Sequence, residues 1–96
     1  MTKTYAPIIP AQLARELNTA FASSDAQAIR EAIGEAARKF NIAELARQTG
    51  LQRQSIYRAF ILGGDQLPNF TTVLRVLTAM GMQLKVVPSV DQRAGR

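Results

Sequence analysis

At 96 residues with 47% apolar side chains, the chain is long enough for one hydrophobic core, too short for two, and too apolar to be mostly disordered. It has no cysteine and no histidine, which removes disulfides, thiol nucleophiles, the commonest general base and most transition-metal sites. The net charge of +5 lies wholly in the second half: residues 1–44 balance five basic against five acidic groups, whereas residues 45–96 set seven basic groups against Asp65 and Asp91.

Met1 to Pro10, with Pro7 and Pro10 and little helical periodicity, reads as an extended N-terminal arm (residues 1–10). Its apolar stretch from Tyr5 to Pro10 suits docking onto a partner, or packing across its own domain or dimer mate. It lacks the long apolar run of a signal peptide, and no run approaches the roughly 20 residues that span a bilayer, so a cytoplasmic protein without membrane contact is expected. A first helix follows from about Pro10, where Leu13, Leu17, Ala20 and Phe21 recur at helical spacing. Ser23-Ser24-Asp25 ends it, and Asp25 suits the N-cap of the next.

The second helix runs to about Lys39. Ala28, Ile29, Ala32, Ile33, Ala36, Ala37 and Phe40 form its apolar face, while Arg30, Glu31, Glu35 and Arg38 are read as outward-pointing. Glu31 and Glu35 lie at pairing distance from Arg38 and Lys39. Asn41 breaks this helix and caps the third, Ile42 to Gln48, which Gly50 stops. Leu51 reads as a buried plug in the turn, and Gln52 to Phe60 as the fourth helix. Gly63-Gly64-Asp65 and Pro68-Asn69 form a loop. A fifth helix from Thr71 or Thr72 to Met80 ends at Gly81. Met82 to Val87 alternates as a short strand stopped by Pro88, and residues 89–96 read as a polar flexible tail.

Ile42 to Phe60 carries the functional signal. Two short helices joined by a tight turn need a small residue where they approach, which is Ala46. Four residues on they need glycine in the turn, Gly50, and six later an aliphatic anchor, Ile56. Leu45 and Leu51 complete that small core. An ordinary helical hairpin with a solvated polar face shares the periodicity. The residue types are what favour DNA reading: the stretch from Leu45 to Gly64 holds no acid but contains Arg47, Arg53 and Arg58. The outer face of the second helix then presents Gln52, Arg53, Gln54, Ser55 and Tyr57 for base reading, since arginine grips guanine and glutamine matches adenine. Arg47 and Arg58 are placed for phosphates.

A lone strand cannot satisfy its own hydrogen-bond ladder. The expected solution is the same strand of a second copy, paired through Met82, Leu84 and Val86 across a two-fold axis. That homodimer would present two reading helices to half-sites about 34 Å apart.

The run from Leu13 to Pro88 resembles the addiction-module antidote family, HigA-like antitoxins with a Cro/repressor-like helix-turn-helix. Leu17-Asn18, ELARQTGLQRQSIYRA from Glu44, the spacer to Phe70, and VLRVLTAMGMQLKVVP from Val73 carry the likeness. The resemblance implies an all-α, five-helix lambda-repressor-like domain over residues 11–88, with the C-terminal dimerisation strand at 82–87. It implies an antitoxin that neutralises a RelE/HigB-like ribonuclease toxin and represses its own promoter by binding operator DNA. A stand-alone Cro/repressor-like regulator is the alternative. Two departures stand out: Gly63 to Leu67 is a longer loop than the family pattern, and Gln52 replaces the usual serine or threonine cap. No enzyme, metal or cofactor is expected, because the carboxylates are scattered and Gly63-Gly64 lacks the lysine and flanking elements of a phosphate loop.

Overall fold

A computed structural model describes residues 10–62, 64 and 66–88. The arm before Pro10 and the tail after Pro88 lie outside the described residues. The described chain is all-α: α1 (Pro10–Ala22), α2 (Ala26–Phe40), α3 (Ile42–Thr49), α4 (Arg53–Ile56) widening into a π-helical turn (Tyr57–Ile61), and α5 (Phe70–Ala79). None of these helices is long and apolar enough to cross a membrane.

The helix ends fall where side-chain chemistry puts them. Asp25 caps α2, its carboxylate accepting the Gln27 and Ala28 amides at 3.0 and 3.4 Å. Asn41 closes one helix and opens the next. Its N–H donates to the Ala37 carbonyl at 2.9 Å while its side-chain oxygen accepts the Glu44 amide at 3.0 Å. It does so at φ 129°, a backbone region that asparagine tolerates better than most residues. α5 begins at Phe70, earlier than its apolar periodicity suggests, because Asn69 and not a threonine supplies the cap, accepting the Thr72 amide at 2.8 Å. It ends in a Schellman motif in which Gly81, at φ 85°, donates to Thr78 and Met82 donates to Leu77, both at 2.9 Å.

Leu13 and Leu17 of α1, Ile33, Ala36 and Ala37 of α2, Ile42 and Leu45 of α3, Ile56, Phe60, and Val76, Leu77 and Met80 form one buried core. α1 packs on α2, α2 on the π-helical turn, and α3 on both α4 and α5. Such a core is what the chain length allows, and it holds α3 and α4 from behind.

Three expectations change. Arg30 is not an outward residue but is buried to 5% exposure. Its arc on α2 lies beneath the loop that follows the π-helical turn, and the Gly64 carbonyl there takes its guanidinium. Lys39 pairs with Glu16 of α1 at 3.3 Å and not along its own helix, because the neighbouring helix offers a carboxylate within reach. Finally, no described residue is in a strand. Residues 82–88, where the alternation suggested a strand, have no regular structure.

Candidate nucleic-acid interface

The turn between α3 and α4 is fixed by three local interactions. Gly50 takes the left-handed conformation at φ 80° that closes α3, and its N–H donates to Ala46 at 3.0 Å. The Thr49 hydroxyl donates to the Leu45 carbonyl at 2.7 Å and accepts the Leu51 amide at 3.1 Å, stapling the turn to the helix before it. Leu45 and Ile56 are fully buried on either side, and Leu51 is half-buried against the same core. Two short helices thus meet across a tight turn, with Ala46, Gly50 and Ile56 at the spacing read from the sequence.

Gln52 stands at the N-cap of α4 in extended geometry, and its side chain makes no capping bond. Its backbone carbonyl accepts from Ser55 and Ile56 at 2.9 and 3.2 Å. A serine or threonine would spend its side chain on the helix end; glutamine here leaves its amide outward. Gln52, Arg53, Gln54, Ser55, Tyr57 and Arg58 are all exposed, along α4 and the start of the π-helical turn. Tyr57 is 40% exposed, its ring standing out of the core rather than in it.

Gln52 to Phe60 is not one uniform helix. After Ile56 it widens, with the Leu62 N–H donating to the Tyr57 carbonyl five residues back at 2.8 Å. The widened turn coincides with the closest approach of α2. A Cβ on Gly34 would lie 2.5 Å from the Phe60 carbonyl oxygen and 3.1 Å from its carbon, so only glycine lets the two backbones meet there. Gly34 is thus a determinant of the site that its position in mid-helix does not announce.

The two residues expected at phosphates differ in setting. Arg58 is exposed and lines, with Ser55, Ala59, Gly64, Gln66, Leu67 and Pro68, a shallow groove between the α4 and π-helical segment and the loop that follows it. Arg47 is held by Glu44 one turn earlier on α3. Its Nε donates to one carboxylate oxygen at 3.1 Å and its terminal nitrogen to the other, while Gln48 also donates to Glu44 at 2.7 Å. The acid that offsets Arg47 lies one residue before the acid-free stretch, which is why a count over that stretch overstates the free positive charge.

Beneath the groove, Arg30 donates to the Gly64 carbonyl at 3.3 Å and to the Gln27 side-chain oxygen at 2.6 Å. Its Nε is buried with no hydrogen-bond partner. Of the residues expected at a dimer interface, Met82 packs against its own core as the apolar partner of the α5 Schellman motif. Leu84 is 40% exposed and Val86 97%.

The model of a protein family described as "Probable addiction module antidote protein" matches residues 10–88. An uncharacterized protein of Haemophilus influenzae is 34% identical over 73 residues, which cover 76% of this chain and 73% of that protein. No solved structure matches the chain.

Proposed function

The chain belongs to the family of probable addiction module antidote proteins, and from that premise we propose that it is an antitoxin that also represses its own promoter through the helix-turn-helix of α3 and α4. An antidote implies a toxin. We assign that partner to the RelE/HigB-like ribonucleases on the sequence resemblance. The DNA reading is carried by one observation: a well-seated helix whose exposed residues, from Gln52 to Arg58, are arginine, glutamine, serine and tyrosine with no acid among them.

In this reading Arg53, Gln54 and Gln52 meet base edges in the major groove, with Ser55 and Tyr57 beside them. Arg58 meets a phosphate from the groove wall. Arg47, whose side chain is 70% exposed, serves a phosphate by turning from Glu44, which keeps the Gln48 amide as a partner. Two copies joined through residues 82–87 place two such helices on DNA, and their strands become ordered only in that pair. Leu84 and Val86 are the contacts across the axis, while Met82 anchors the segment to its own core.

Titration of promoter duplex against salt tests the reading together with capture of the toxin. A dimer making about six phosphate contacts should show log affinity falling with log salt at a slope near −5. The chain should also co-purify with a small basic ribonuclease encoded beside it. A flat salt response removes the DNA reading. Promoter binding without any toxin capture leaves a stand-alone regulator.

A further inference from the structure

Arg30 is buried in a way that the core does not explain. It is 5% exposed, its Nε has no partner, and among the described residues no carboxylate pairs with it. A buried cation without a counter-charge is costly, and an apolar side chain of similar length would serve packing as well or better. What the guanidinium does hold is specific. Gln27, one turn earlier on α2, braces one terminal nitrogen at 2.6 Å, and the other reaches 34 residues along the chain to the Gly64 carbonyl at 3.3 Å. Gly64 itself sits at φ 98°, a conformation glycine supplies and other residues resist.

Gly64 is part of the wall of the shallow groove whose opposite side is Ser55, Arg58 and Ala59. We propose that Arg30 is a buried positioning residue for DNA binding: it latches the loop after the reading helix to α2, holding the groove open for a backbone phosphate at Arg58. Its guanidinium meets the wall of that groove at the Gly64 carbonyl, so its positive charge adds to that of Arg58 toward a bound phosphate. The inference rests on the DNA reading, and it assigns affinity but not base preference to a residue that touches no DNA.

Arg30→Met keeps the length and removes both the latch and the charge. The expected result separates stability from binding. Tm stays the same or rises, while affinity for promoter duplex falls about tenfold per half-site near 0.1 M salt, and the salt slope shrinks by about one per half-site, as for the removal of one phosphate interaction. Base preference is unchanged. In the free protein, amide exchange at Gln66 and Leu67 accelerates. Gln27→Ala, which removes only the brace, should show the same pattern more weakly and keeps the test open if Arg30→Met does not fold. Undiminished affinity and slope overturn the inference, as does a loss of binding that merely follows a fall in Tm. An unaltered chain with no affinity for duplex removes the DNA reading and this inference with it, whereas intact binding in the variant removes the inference alone.

Discussion

Gly34→Ala will lower Tm, although alanine is the better helix former. In the interior of an exposed helix that exchange gains up to about 1 kcal/mol from backbone entropy. Here the added methyl would lie 2.5 Å from the Phe60 carbonyl oxygen, and the obstructing atom is backbone, which cannot rotate away as a side chain would. Forcing α2 and the π-helical turn apart costs about 1–3 kcal/mol as overpacking does and opens the core around Ile33 and Phe60, both buried. The clash outweighs the propensity gain. The net effect is a drop of roughly 5–15 °C for a domain of this size. Because the turn that moves carries Tyr57 and Arg58, promoter binding by the folded fraction should weaken as well. Thermal unfolding checks the first part; a Tm that rises would show that the backbones do not meet at Gly34.

The second large effect is expected at the C-terminal segment. Val86 is 97% exposed in the single chain, so Val86→Asp has nothing to disturb within its own fold. If residues 82–87 pair across a two-fold axis, the same change sets two carboxylates near one another in an apolar strand pair and yields monomers by light scattering. Promoter affinity then falls roughly a hundredfold or more, because the second half-site is no longer bound at high effective concentration. Tm of the dilute monomer should not change. A dimer that persists with both Leu84 and Val86 charged would place the interface elsewhere.

Local chemistry is legible in the chain, and long-range chemistry is not. Asp25, Asn41, Gly50 and Gly81 mark helix ends because capping depends on residues one to five positions away. Leu45, Ala46 and Ile56 mark the packing of α3 and α4 across their turn for the same reason. Arg30 follows no such rule. Its charge reads as a solvated position, yet Ile33, Gly34 and Ala37, three, four and seven residues on, are buried and put it on the inner arc of α2, where the carbonyl that takes its guanidinium belongs to Gly64, far along the chain. Gly34 reads as one more mid-helix residue until Phe60 is placed against it. The π-helical turn has no local signature either, and it appears where α2 presses closest. The pairing of Arg47 escapes a count of charges because Glu44 falls just outside the acid-free run. The alternation from Met82 to Val87 gives no strand in the single chain, where Met82 packs against its own core beside the end of α5.

The central claim is that the exposed face from Gln52 to Arg58 reads DNA sequence. It is tested most directly by measuring the affinity of the unaltered chain, Arg53→Ala and Gln54→Ala for the chain's own promoter duplex and for a scrambled duplex of equal length at one salt concentration. The unaltered chain should prefer the promoter by about 10³-fold or more. Each substitution should remove about 1–3 kcal/mol of that preference for every base the native side chain reads, with α-helical content intact by circular dichroism. Equal affinity of the unaltered chain for both duplexes, or full preference in both variants, would contradict the assignment of this face to DNA.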